Sequence, residues 1–293
     1  MAIFTGCGVA IVTPFLPNGE VDFDSFRNLI EWQISEGIDA IVVCGTTGEA
    51  STLDDKEHIE TIKFCVDVVN KRVPVIGGAG SNDTRHGINL AKEIESVGVD
   101  GLLLVTPYYN KCSQAGLIEH YIATADAVNV PCILYSVPGR TGVNIAPQTV
   151  SLLAGHPNIV GIKEASGNIA QVAEIARLVP DDFAIYSGND DMVVPLMVLG
   201  GVGYISVVAN VAPADSVRMS RSFLDGDLDT ARKLQLNMKS LIDALFADVN
   251  PIPVKAALNM MNKCPLEYRL PLCPPNDQVM DRIKSEMLSY GLV

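Results

Sequence analysis

A (β/α)8 barrel of the TIM type, with a C-terminal helical extension, is the fold predicted here, on three observations. Eight short runs rich in β-branched and apolar residues recur at 7–12, 39–44, 73–77, 101–105, 131–136, 159–163, 183–187 and 203–208. Amphipathic segments separate them, with apolar residues at helical spacing. The eight alternations fit within about 225 residues, whereas a doubly wound sheet has fewer strands and needs a nucleotide-binding fingerprint that the chain lacks.

Each run is apolar throughout, as expected of strands covered on both faces. SFRNLIEWQISEG, KEHIETIKFCVDVVN, NDTRHGINLAKEIESVG and AQVAEIARLVP carry the helical pattern, several of them closed by Gly or Pro. Residues 1–225 are therefore expected to form the barrel and 226–293 a mostly helical segment. That segment holds DTARKLQLNMKSLIDALFADV, PVKAALNMMNK and NDQVMDRIKSEMLSYG between Pro-rich turns.

At 293 residues and 48% hydrophobic, the chain suffices for one domain with a large core. A net charge of −13 repels phosphate backbones and anionic headgroups, so nucleic acid and membrane surfaces are not expected partners. The opening MAIFTGCGVAIVTPF has neither a basic region nor a cleavage site, and no apolar run reaches the roughly 18 residues of a membrane span. A cytoplasmic location is expected. The seven cysteines are odd in number, lack CxxC spacing and mostly sit in apolar runs, so they read as reduced core residues, with Cys112 the candidate for exposure. His58, His86, His120 and His156 lack metal-ligand spacing, and no metal is expected.

Reacting groups of such barrels lie where strands end and βα loops begin. That rule selects Thr13, Thr46, Thr47, Gly78, Tyr108, Tyr109, Tyr135, Lys163, Gly188 and Ile205. Of eleven lysines, ten fall on polar helix faces, in turns or in the C-terminal segment, and are expected to be solvated. Lys163 instead ends an apolar run, where lost hydration favours a neutral amine able to attack a ketone. Position alone leaves a second reading open, a lysine that extends to the rim or pairs with a barrel carboxylate.

The other candidates also read two ways. GTTGE at 45–49 offers hydroxyls and backbone N–H groups to a substrate carboxylate, or else Thr46 and Glu49 form a capping box and Thr52 caps the next helix. Tyr108 and Tyr109 in TPYYN, and Tyr135 in ILYSVPGRTG, are packing residues or members of a hydroxyl relay. Arg140, in a loop bounded by Pro and Gly, is a solvated charge or a bidentate grip on a carboxylate.

GTTGE, TPYYN, YxVPxRTG and GIKEASGN, in this order and at these separations, resemble the dihydrodipicolinate synthase family. The resemblance covers essentially the whole chain, including NPIPVK at 250–255 and RLPL at 269–272. It implies a class I Schiff-base lyase that condenses pyruvate with L-aspartate 4-semialdehyde, towards diaminopimelate and lysine, with no metal or organic cofactor. In that reading Lys163 forms the imine, Tyr135 transfers protons, and Thr46 bridges Tyr135 to a Tyr109 that enters from a neighbouring subunit of a homotetramer. Thr47 would hold the pyruvate carboxylate, Gly188 and Ile205 would line that site, and Arg140 would bind the carboxylate of the semialdehyde.

The resemblance also implies an allosteric cleft at Ala50, Ser51, Asp55, His58, Asn82, His86 and Tyr108. Lysine-sensitive members have His where this chain has Asp55 and Glu where it has His86. Weak or absent feedback by lysine is therefore expected. Ser136 stands where the family commonly has Asn, a position expected to lie behind the reacting groups. Two rivals remain at this point. One is a sugar-acid lyase on the same scaffold, whose members typically read GSTGE and lack the arginine; the other is a non-catalytic relative that keeps the barrel for sensing or assembly.

Overall fold

Eight parallel strands close a barrel in chain order in the computed structural model, which describes residues 2–293. They are β1 Gly6–Ala10, β2 Ala40–Val43, β3 Val75–Gly78, β4 Gly101–Val105, β5 Cys132–Ser136, β6 Ile159–Glu164, β7 Ala184–Ser187 and β8 Gly203–Ser206. The predicted runs and these strands agree in number and order. β8 stops earlier than expected because a 3-10 turn, Val208–Asn210, takes over the chain.

Helices α1 Phe23–Ser35, α2 Asp55–Val69, α3 Thr84–Ser96 and α4 Gln114–Asp126 follow the first four strands. After β5 come the single turn α5 Pro138–Thr141 and then α6 Pro147–Leu153. The ring is completed by α7 Ile169–Leu178, α8 Val193–Val198 and α9 Pro213–Leu224. Beyond it lie α10 Leu228–Asn237, α11 Lys239–Leu245, α12 Ile252–Met260 and α13 Asp277–Tyr290.

Strand alternation builds two cores. Ala40, Val42, Ile133, Tyr135, Ala184, Tyr186 and Ile205 meet inside the barrel, while Ile41, Val43, Leu134, Ile162 and Ile185 pack outward against the helices. Both strand faces are thus apolar, and each fully buried Leu, Ile or Val contributes roughly 1.5–3 kcal/mol. The seam between β8 and β1 is close enough that a side chain on Gly203 would collide with the Gly6 carbonyl.

Short polar side chains start the helices: Asp22, Asp83, Ser113 and Asn168 accept first-turn N–H groups of α1, α3, α4 and α7. The cap expected of Thr52 is not formed. α2 begins at Asp55, so Asp54 is its cap and accepts from the Glu57 N–H at 2.9 Å. Thr52 Oγ1 instead donates to the Glu49 carbonyl at 3.0 Å. Among the cysteines, Cys273 is the exposed one and Cys112 is half-buried, which corrects the expectation for Cys112.

Glu49 is not a capping-box residue either. Its carboxylate lies 2.6 Å from Lys255 Nζ on α12, and both side chains are 0% exposed. Lys255 was expected to be solvated, but α12 is buried continuously from Ile252 to Leu258, so no polar face exists for it. Its ammonium also sits over the rings of Phe15, at 4.4 Å, and Tyr268, at 5.0 Å. Nearby, Arg269 grips Glu57 with both Nη atoms, at 2.8 and 2.6 Å, and donates to the Gly19 and Thr52 carbonyls. The C-terminal segment is thereby clamped to the loop after β2.

Removing one partner of a buried pair strands the other charge, so Lys255→Met is expected to destabilise the fold by roughly 3–5 kcal/mol. Urea unfolding checks this. Adding Glu49→Gln is expected to recover part of the loss, and a single Lys255→Met variant as stable as the wild type would refute the account.

Candidate active site

Parallel pairing sets Tyr135 of β5 opposite Lys163 of β6, so the two side chains project together near the C-terminal mouth of the barrel. Lys163 is 5% exposed, and its Nζ lies 4.3 Å from the centre of the Tyr135 ring. Among the described residues it forms no ion pair, so the pairing with a barrel carboxylate considered from sequence is not made. Gly188, just after β7, leaves room for it: a Cβ there would lie 2.6 Å from Ala165 Cβ and 3.2 Å from Lys163 Cε. Ile205 is buried, and belongs with Tyr135 to the inner core.

Asp190 supports the next wall. Burial pushes its carboxyl above the usual range, against hydrogen bonds from Ser206 and the Val208 and Val207 amides and the charge of Lys163. Its Oδ2 accepts from Val207 N at 3.0 Å and Val208 N at 2.9 Å, which fixes the chain directly after β8.

The GTTGE loop is held from below and behind. Thr13, a strand-end candidate, donates to the Gly48 carbonyl at 2.7 Å and so serves the loop's conformation. Thr47 is buried, and its Oγ1 accepts from Asn250 Nδ2 at 3.0 Å. Thr46 is half-buried. Arg140 lies on the turn α5, where the sequence reading expected a loop, and its Nη2 donates to the Asn250 carbonyl at 2.8 Å.

Tyr109 stands apart. It is 91% exposed, with a backbone φ of 72°, so its phenol leaves its own barrel. Among the described residues the hydroxyls of Thr46, Tyr135 and Tyr109 form no hydrogen bonds with one another within one chain. Ser136 points away from Lys163: it is fully buried, donates to Asn144 Oδ1 and accepts from Ile145 N, both at 3.2 Å.

Asn250 is the residue that sequence reasoning passed over. Its motif was noticed, yet nothing local marks it, because Thr47 and Arg140 are distant in the chain. The only signal was a polar side chain in the otherwise apolar stretch NPIPV.

A second cluster lies behind this mouth. His86 Nε2 faces both Asp55 oxygens at 3.0 Å, and its Nδ1 faces Ser81 Oγ at 3.0 Å. Asn82 Nδ2 donates to the Tyr108 carbonyl at 3.1 Å. His58 is buried, with Nε2 2.7 Å from the Gly78 carbonyl, so that nitrogen carries the proton. Ser51 is exposed and joins none of these contacts among the described residues.

Residues 3–288 match the model of the Dihydrodipicolinate synthetase family. The chain is 54% identical to the 4-hydroxy-tetrahydrodipicolinate synthase of Acetivibrio thermocellus over 291 residues, 99% of each chain. Among solved structures it resembles the chloride-inhibited dihydrodipicolinate synthase of Acinetobacter baumannii complexed with pyruvate. That likeness has a TM-score of 0.97 at 44% identity and covers 99% of both chains. The dihydrodipicolinate synthase of Cyanidioschyzon merolae with lysine bound gives a TM-score of 0.97 at 40% identity, over 100% of both.

Burial lowers the pKa of His58, an effect that its bond to Gly78 opposes. A depressed histidine stays neutral in the fold while the unfolded chain takes up a proton, so it costs stability as pH falls below the ordinary histidine range near 6.5. Thermal melts from pH 7.5 down to pH ~5 are expected to fall less steeply for His58→Asn than for the wild type. Parallel slopes would remove His58 as a cause.

Proposed function

The chain belongs to the dihydrodipicolinate synthetase family, and on that footing we propose how its residues condense pyruvate with L-aspartate 4-semialdehyde. The reaction is that of a Schiff-base lyase. The observation that carries the reading is a lysine amine buried at the barrel mouth, against a tyrosine ring and with no ion pair to break.

Lys163 Nζ attacks the ketone carbon of pyruvate, water leaves, and an iminium forms. That cation draws electrons from C3, which loses a proton to give an enamine. The enamine carbon attacks the aldehyde, and the amine of the second substrate then displaces Lys163 and closes the ring. Tyr135 and Thr46 move the protons, and Tyr109 of a neighbouring subunit completes the relay. Thr47 holds the pyruvate carboxylate, Gly188 and Ile205 line its pocket, and Arg140 takes the carboxylate of the semialdehyde. The exposure of Tyr109 supports the shared site, in a homotetramer built as a dimer of dimers.

Residues 1–225 supply the reacting groups, and 226–293 hold their loops in place. No helix among the described residues is long and apolar enough to cross a membrane, and we place the reaction in the cytoplasm. The cluster of Ser51, Asp55, His58, Asn82, His86 and Tyr108 is the allosteric candidate. His86 already engages the Asp55 carboxylate, so the cluster offers no free carboxylate to a lysine ammonium, which supports weak or absent feedback.

Borohydride reduction in the presence of pyruvate is expected to leave a pyruvyl adduct on Lys163 by peptide mass mapping. An unlabelled Lys163 would overturn the aldolase reading. Steady-state assays coupled to the next reductase are expected to show turnover with L-aspartate 4-semialdehyde and none with N-acetylneuraminate. There, Arg140→Ala is expected to raise KM for the semialdehyde by roughly 10- to 100-fold, the loss of a hydrogen bond to a charged group. Remixed Lys163→Ala and Tyr109→Phe subunits are expected to regain about a quarter of the wild-type sites, since half of random dimers are mixed and each has one whole site. No recovery above the separate variants would assign Tyr109 to its own chain. Strong inhibition by lysine in the same assay would remove the proposed insensitivity.

A further inference from the structure

We propose that Asn250 is a positioning residue whose side chain sets the hydrogen-bond polarity of Thr47, independently of its main-chain carbonyl, which anchors Arg140. The proposal rests on the roles given above to Thr47 and Arg140.

Asn250 lies between α11 and α12 and is 6% exposed. Its Nδ2 donates to Thr47 Oγ1 at 3.0 Å, and its backbone carbonyl accepts from Arg140 Nη2 at 2.8 Å. Its Oδ1 has no hydrogen bond among the described residues, so Thr47 is the one polar engagement of the side chain. One short segment therefore touches both residues assigned to carboxylates, through two different kinds of group.

The chemistry of that contact is directional. A hydroxyl has one proton to give and two lone pairs to receive with. An amide N–H occupies one lone pair of Thr47, and among the described residues Thr47 Oγ1 donates to nothing. Its proton is thus left for an incoming carboxylate. A carboxylate at position 250 would reverse this, drawing the Thr47 proton inward and adding a like charge near the pyruvate subsite. Arg140 is different, because it is held by a main-chain oxygen that every side chain at 250 retains. Of its five N–H donors, one is engaged there, which fixes the guanidinium while leaving the others to a substrate.

The two links predict separable effects in an initial-rate matrix over both substrates. Asn250→Ala is expected to raise KM for pyruvate by about tenfold, the lower range for a bond to a charged group, and to leave KM for the semialdehyde within about twofold. Asn250→Asp is expected to raise KM for pyruvate further than Asn250→Ala does. In a Thr47→Val background, Asn250→Ala is expected to add nothing to KM for pyruvate, since its partner is already gone. An unchanged KM for pyruvate, an equal rise in both constants, or full additivity with Thr47→Val would each overturn the proposal. Asn250→Ser, too short to reach Thr47, replaces the alanine variant if that chain fails to fold, with the same outcomes. Absence of the pyruvyl adduct on wild-type Lys163 would defeat the underlying reading, and is distinguishable from failure here, which leaves that adduct intact.

Discussion

A lysine from α12 and a glutamate from the loop after β2 neutralise each other, with both side chains fully buried. Neither charge tolerates that environment alone, so the two segments that carry them are obliged to stay together. The loop in question carries Thr46 and Thr47. Arg269 reinforces the join by binding Glu57 and two carbonyls, and Asn250 reaches Thr47 from the same side. Placement of the loop that carries Thr46 and Thr47 is therefore a property of the C-terminal segment as much as of the strand that precedes it.

Lys163 answers to a different constraint. In a closed parallel barrel, neighbouring strands fix which side chains point inward together, and the register of β5 on β6 puts Tyr135 against Lys163 without any hydrogen bond between them. Gly188 on the next strand end keeps the space open, and Asp190 ties down the chain after β8. Lys163 and Tyr135 are placed by the barrel, whereas Thr47 and Arg140 are placed by the loops and the segment that clamps them.

The barrel was legible because its strands are covered on both faces, which makes their sequences continuously apolar, and because Lys163 interrupts that pattern at a strand end. Thr46, Thr47 and Arg140 were marked as candidates by local motifs. Lys255 was not, since a lone lysine among apolar residues looks the same whether it extends to solvent or meets a carboxylate 206 positions away. The capping-box alternative for Glu49 fails for the complementary reason: its spacing from Thr46 satisfies a local rule that a distant charge overrides. Asn250 acts on a residue 203 positions earlier, and only folding brings the pair together. Ser136, by contrast, behaves as its position suggested, with its hydroxyl turned to Asn144 and Ile145 behind the strand.

The order in which the chain is made gives the C-terminal clamp another meaning. Translation delivers Lys163 well before Asn250, Lys255 and Arg269, at a pace of roughly 5–20 residues per second. During that interval β7 and β8 are still being made, and the loop after β2 lacks the partners that hold it. The groups that hold the loop after β2 are thus the last to be installed, and a ribosome stalled short of residue 250 leaves Thr47 and Glu49 without their partners.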